Sequence, residues 1–218
     1  DYVHQIKRFA LPDLHSPIAG FLGEMIVGLN ELSSALKKTM VEQPDVTIDL
    51  ADYPLSGVRL INRYRYEITI RGVYPQFIYW LAMPFFSPMP AEVTHFYNQP
   101  LLQEKNITLD WFPVGTGAYL LEENNPNRRM VLSRNPNFRG IPYPSSGTEE
   151  DRQAGLLADA GKTMPFIDRA IFSLEKESIP VWNKFLQGYY DRSGIGSDSF
   201  DQAIQFGDGL DASVTKAL

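Results

Sequence analysis

The chain has 218 residues, 44% hydrophobic and 21% charged, with a formal net charge of -6 and no cysteine. Such a composition supports a buried core of about one large or two small domains, and it excludes disulfides, thiolate metal sites and cysteine nucleophiles. The acidic balance, with no basic run longer than Arg128-Arg129 or Lys37-Lys38, excludes the electrostatic footprint of a nucleic-acid binder.

No apolar run approaches the ~20 residues that span a bilayer. The opening Asp1-Tyr2-Val3-His4 has neither the charged start nor the apolar stretch of a signal peptide. With no initiator Met, the chain is expected to be cut from a longer one. A chain without thiols also fits an oxidising compartment, where it cannot mispair.

The spacing of Val3, Ile6 and Phe9 predicts a helix over Tyr2 to Ala10, ended by Pro12. His4 and Arg8 share one face of it and are expected to be solvated. Ser16-Pro17 opens a second amphipathic helix. Its apolar positions Ile18, Phe21, Leu22, Met25, Ile26, Leu29, Leu36 and Met40 follow the i, i+3, i+4 rule, with a break expected near Asn30. This stripe reads as a core face, because the opposite face is not rich in lysine. Gly57 to Gly72 reads as a hairpin in which Val58 and Leu60 meet Tyr66, Ile68 and Ile70, turning near Asn62-Arg63. Tyr74 to Met83 is a short aromatic helix or turn, Met83 to Pro90 is irregular, and Glu92 to Tyr97 is one short helix.

Val114 to Glu123 and Arg129 to Arg134 read as two strands joined by a turn at Asn124-Asn125-Pro126-Asn127. Ile141 to Gly147 is a loop, and Glu149 to Ala160 is a charged helix or a solvated insertion. Ile167 to Leu174 is a strand with Ala170, Phe172 and Leu174 on one face. A helix follows, burying Trp182, Phe185, Leu186 and Tyr189 at helical spacing, with Ser178 as its cap and Pro180 in its first turn. Ser199 to Phe206 and Asp211 to Leu218 read as two more short helices. There is no internal repeat and no low-complexity tract. Helices interleaved with local hairpins make this a mixed α/β protein.

The motifs for chemistry fail on their own terms. Gly115-Thr116-Gly117 lacks the Lys and Ser or Thr of a phosphate loop and precedes a strand rather than a helix. It reads as a turn in which glycine relieves backbone strain. His4, His15 and His95 lack ligand spacing, so neither metal nor cofactor is expected. Glu122-Glu123, Glu149-Glu150-Asp151 and the Glu175/Glu177 pair could supply the two carboxylates of a glycosidase-type hydrolase, but nothing sets one acid apart from its partner. There is no Gly-x-Ser-x-Gly elbow, and no catalytic residue is assigned. The aromatics Tyr74, Phe77, Tyr79, Trp80, Phe85 and Phe86 are mostly expected in the core, although such rings also suit a cleft for organic ligands.

Several segments together resemble the family 5 extracellular solute-binding proteins of ABC transporters, of the oligopeptide- and dipeptide-binding type. Asp1 to Leu22 resembles that family's helix ending in Lys-Arg followed by a stretch ending in Ser-Pro. Tyr74 to Val93 is similar to its aromatic segment leading into a proline-rich loop. Pro113 to Gly140 carries the most specific likeness, Val-Gly-Thr-Gly-x-Tyr, a turn, a second strand and Arg-Asn-Pro. Pro165 to Leu174 and Phe185 to Asp191 resemble the following strand and a helix ending in Gly-x-x-Asp. Ala118 stands where the family usually has Pro, Phe138-Arg139 replaces Tyr-Trp, and Tyr143 to Thr163 resembles an insertion, which marks a divergent subgroup.

The resemblance implies part of a type II periplasmic-binding-protein clamshell. Residues 1–113 would form most of the small domain adjoining lobe I, and residues 114–218 part of lobe I; an N-terminal segment and the C-terminal lobe would be absent. It implies a substrate-binding component of an ABC importer, not an enzyme, that captures a peptide or similar small solute in the periplasm for an inner-membrane permease. Gly115 to Tyr119 would lie in the hinge region. Ile18 and Phe21 match the positions after Ser-Pro where relatives often place a ligand-touching aromatic, which makes Phe21 the candidate ligand-binding residue. The alternatives are a carboxylate-dependent hydrolase, or a peptide sensor or chaperone on the same scaffold.

Overall fold

A computed structural model describes residues 1–44, 46–205 and 209–210. The chain divides into two units, Asp1–Val114 and Gly115–Leu218. Among the described residues no helix is long and apolar enough to cross a membrane.

In the first unit, α1 (Tyr2–Arg8) buries Ile6, with Phe9 buried just beyond its end. Pro12 does not simply end the run; it opens a 3₁₀ turn, Pro12–Leu14. The expected long helix is two helices, α2 (Ala19–Met25) and α3 (Leu29–Glu42), and the break falls at Ile26–Gly28 rather than near Asn30. The cause lies in the hairpin. Strands β1 (Val58–Asn62) and β2 (Arg65–Ile68) pair antiparallel, with Val58 opposite Ile68 and Leu60 opposite Tyr66. Beyond β2 the chain continues alongside the helix break: Val27 N donates to Thr69 O at 3.0 Å and Arg71 N to Met25 O at 2.8 Å, while Ile70 bridges Ile26. Extended pairing at Ile26 and Val27 is incompatible with helix. Gly28, at φ +82°, turns the chain into α3 in a conformation that costs other residues more.

The apolar stripe then does what periodicity predicts. Leu22, Ile26, Leu29, Leu32 and Leu36 pack with Ile6, Phe9, Leu50, Leu55, Phe77 and Phe86 in one core. The aromatic segment forms α4 (Phe77–Trp80) and a 3₁₀ turn, Pro84–Phe86. Helix α5 (Ala91–Tyr97) follows, and then α6 (Pro100–Glu104), which has no counterpart in the sequence reading.

In the second unit β3 (Tyr119–Asn125), β4 (Arg129–Arg134) and β7 (Arg169–Ser173) form an antiparallel sheet in that order. A register irregularity lies between Leu121 and Glu123. Asn124 and Asn125 belong to β3, so the turn is later than predicted; Arg128 N donates to Asn125 O at 3.0 Å. Ala170 and Phe172 do share a face, opposite Leu132 and Met130. Between β4 and β7 lie β5 (Ile141–Pro142), α7 (Glu149–Gln153) and β6 (Thr163–Met164). Thr148 and Asp151 form a reciprocal capping box on α7, but the helix stops at Gln153 and turns follow as far as Gly161.

Helix α8 (Ser178–Leu186) buries Trp182 and Phe185, which pack with Ala203, Leu186, Tyr190 and Ile204. Two expectations fail here. Tyr189 lies beyond the helix and is 75% exposed, because the chain leaves the helix through Gly188 at φ +79°. Glu177, not Ser178, holds the cap position, and makes no side-chain cap bond. Helix α9 (Ser197–Ala203) and the short ladder of β8 (Ile204–Gln205) with β9 (Gly209–Leu210) complete the described part. The helix expected over Asp211 to Leu218 lies outside the described residues, as does Phe206.

Candidate functional site

The first unit carries an aromatic wall. Phe21, on α2, is 37% exposed. Its ring centroid lies 4.8 Å from that of Trp80 and 6.5 Å from that of Tyr74. Trp80 Nε1 donates to the Tyr74 hydroxyl at 3.3 Å, which fixes the indole plane. Trp80 continues to Phe85 at 6.2 Å, Phe85 to Phe86 at 5.4 Å, and Phe86 to Phe9 at 5.2 Å. The rings thus run unbroken from a half-exposed edge into the core. Spacings of this kind are favourable for offset and edge-to-face pairs. Phe77 and Phe86 are buried as expected, Tyr74, Trp80 and Phe85 are half-buried, and Tyr79 faces solvent. Ile18 packs against the core. Phe21 and Trp80, their rings tilted by 41°, together offer an apolar surface with the Tyr74 hydroxyl beside it, which suits an organic ligand with apolar groups.

A second feature of the same unit was not legible. His4 and Arg8 are half-buried rather than solvated, and line a cavity of about 550 Å³ with His95, Thr94, Asp13 and Asp110. The ring Nε2 of His4 lies 3.0 Å from Thr94 Oγ1. Burial, then the neighbouring Arg8 cation, hold the His4 pKa below its ordinary value. His95 Nε2 lies 3.5 Å from Asp49 Oδ1; Asp49 is held below the usual carboxylate range, chiefly by the Ala51 amide it accepts from and then by His95. Two histidines far apart in the chain therefore meet at one cavity. Among the described residues no group of three or more His, Cys, Asp or Glu side chains is placed to hold a metal ion.

In the second unit, Gly115 and Gly117 precede the strand rather than opening it. Neither has positive φ, and a Cβ at either would meet nothing within 4 Å. The expected relief of backbone strain is therefore not why glycine stands there. What fixes the segment is Asn135. Its backbone N donates to Ala118 O at 2.9 Å, its Nδ2 donates to Gly117 O at 2.8 Å, and its Oδ1 accepts from Asn137 N at 2.9 Å. A shallow apolar cavity of about 370 Å³ lies beside Tyr119, Phe138, Ile141 and Met164 to Ile167.

Of the paired acids, Glu122, Glu123, Asp151 and Glu175 are engaged with cations or a cap. Glu122 pairs with Arg169 at 3.0 Å and Glu123 with Arg129 at 2.8 Å. Glu175 accepts from Lys184 and Tyr190, and Asp151 caps Thr148. Glu123, Asp151 and Glu175 are all pushed down by these bonds. A hydrolytic pair needs one acid held up, and none of the three is.

Residues 1–213 match the family model described as "Bacterial extracellular solute-binding proteins, family 5 Middle". The chain belongs to this family. Among the relatives of the family 5 chain, the periplasmic oligopeptide-binding protein OppA of Salmonella typhimurium is 28% identical over 193 residues, covering 83% of this chain and 31% of that protein. The Escherichia coli protein of the same name is 26% identical over 193 residues with the same coverage. The fold is also similar to that of solved structures. Haemophilus influenzae OppA in complex with RPPGFSPFR matches with TM-score 0.59 and 16% identity, over 93% of this chain and 32% of that one. Burkholderia pseudomallei OppA matches with TM-score 0.59 and 18% identity, over 93% and 32%. The chain thus spans about a third of the length of these relatives. The expected mixed α/β fold of this family is the fold observed.

Proposed function

We propose that this chain is the middle portion of the substrate-binding component of an ABC importer. In this reading the whole protein works in the periplasm, captures a peptide or similar small solute, and delivers it to an inner-membrane permease. The observation that carries it is the family match over residues 1–213; the names of the OppA relatives point to oligopeptides as the ligand class. Residues 1–113 serve as most of the small domain and 114–218 as part of lobe I, and Gly115 to Tyr119 takes up backbone change at closure. Phe21 meets the ligand through the face it shares with Trp80. The protein acts by binding rather than by turnover, in keeping with a family of transport proteins.

The test is calorimetry of the parent protein, of which this chain is a part, against a library of short peptides. Stoichiometric binding is expected, weakened about tenfold by Phe21→Ala, the order of change from losing one well-packed anchor. Turnover of a peptide or glycoside substrate, or failure to bind any peptide, would overturn the reading.

A further inference from the structure

The cavity at α1 in the first unit is lined by Arg8, a cation with no salt-bridge partner among the described residues. Arg8 Nη1 donates to Gln5 Oε1 at 2.8 Å. Its Nε is buried without a partner, and its Nη2 makes no hydrogen bond among the described residues. No carboxylate among them pairs with it, although Asp110 lines the same cavity and its charge is felt at Arg8. An under-satisfied guanidinium is costly in a partly desolvated place, and its planar fork fits a carboxylate. The rest of the lining includes His4, His95, Thr94, Asn98 and Gln103, which can bond a ligand of either charge. Asp13 and Asp110 supply negative charge, while Met40 and Ile48 supply apolar surface. A simple anion such as phosphate would meet repulsion from the acids, and a simple cation would meet it from Arg8. A molecule with both charges close together and an apolar tail satisfies every side.

The geometry points to a binding site in this cavity for a free α-amino acid with an apolar side chain, its carboxylate on Arg8, its ammonium toward Asp110, and its side chain against Met40 and Ile48. The volume of about 550 Å³ leaves room for such a ligand and for water. The site lies wholly within the first unit and does not depend on the transport reading. It is separate from the aromatic wall around Phe21.

Saturation-transfer NMR on the 218-residue chain tests this with three probes: L-leucine, isocaproate, which lacks the ammonium, and isoamylamine, which lacks the carboxylate. L-Leucine should bind at least about tenfold more tightly than either half-molecule, a ratio matching one charge-assisted bond. Arg8→Gln should abolish binding of leucine and isocaproate. Asp110→Asn should bring leucine down to the level of isocaproate. Circular dichroism checks that each variant is folded; if Arg8→Gln is not, Arg8→Lys keeps the charge and loses the fork, and should weaken leucine severalfold. No saturation transfer from leucine, equal binding of leucine and isoamylamine, or leucine binding unchanged in folded Arg8 variants would each overturn the assignment.

Discussion

The His4 ring nitrogen meets the Thr94 hydroxyl at 3.0 Å across ninety residues of chain, tying the first helix of the first unit to α5. The burial around this contact disfavours the imidazolium, and so does Arg8 one turn away on α1. The folded-state pKa of His4 is therefore below its ordinary value near 6.5. Below that value the unfolded chain binds the proton more readily than the folded one. Stability should be fully present above about pH 7 and fall as pH drops through the ordinary histidine range. His4→Gln should flatten that part of the profile. Melting temperatures recorded from pH 8 to pH 5 check this, and a profile identical in the variant would contradict it.

A second loss should follow at lower pH. Asp49, Glu67, Glu123, Asp151 and Glu175 all have lowered pKa values. Their contributions are present above the ordinary carboxylate values and are lost as pH falls through the folded ones. This acid limb should shrink in 1 M salt for the exposed Glu67–Arg59 pair, but persist for Asp151, which accepts a backbone amide within its own cap. Comparing Glu67→Gln with Asp151→Asn in high salt separates the two.

Gly57 sits where a side chain cannot. A Cβ there would fall 2.1 Å from the Val27 carbonyl oxygen, and that carbonyl belongs to the extended stretch interrupting the helical stripe. Gly57→Ala should thus cost about 2 kcal/mol or more by forcing backbone movement. Gly115→Ala, with open space around it, should lie within about 0.5 kcal/mol of the parent chain. Urea unfolding of the pair checks both. Equal effects would mean that the Val27–Thr69 pairing yields easily.

What could be read from the sequence follows from which forces are local. The stripe of Leu22, Leu29 and Leu36, and the Val58 and Leu60 pairing with Ile68 and Tyr66, were legible because side-chain periodicity reports burial directly. The break at Ile26–Gly28 was not, because it depends on backbone bonds from Thr69 and Arg71, more than forty residues on. Gly28 just before α3 was the available signal. The cavity was hidden for the same reason: His4 and His95 lack ligand spacing, and only the fold brings them together. Phe21 was legible as an apolar position, but its contact with Trp80 was not. Asn135 is visible as part of an Arg-Asn-Pro motif, yet no local pattern indicates that its side chain reaches back to Gly117.

That reach makes Asn135 a specific target. Asn135→Ala removes the bond to Gly117 O and the one from Asn137 N at a buried position. A loss of about 1–3 kcal/mol is expected. Asn135→Asp should recover the Asn137 bond but not the Gly117 bond, and fall between. Urea midpoints order the three chains, and Asn135→Ala equal to the parent would show that the loop before β3 is held by other bonds.

Trp182 offers a sharper test, because its two effects have opposite signs. The indole is 3% exposed and its ring lies 5.6 Å from that of Phe185, so removing it empties the centre of the small core between α8 and α9. Trp182→Ala should cost about 3–5 kcal/mol. Yet Trp182 Nε1 is buried with no hydrogen-bond partner, and an unpaired donor of this kind costs about 1–3 kcal/mol. Trp182→Phe removes that donor and keeps a ring against Phe185, while giving up the apolar area of the second ring. The two terms nearly cancel, so Trp182→Phe should lie within about 1 kcal/mol of the parent chain. Urea unfolding followed by far-ultraviolet circular dichroism measures both variants without relying on tryptophan fluorescence. A Trp182→Phe loss as large as that of Trp182→Ala would mean that the donor is bonded and the whole indole is needed.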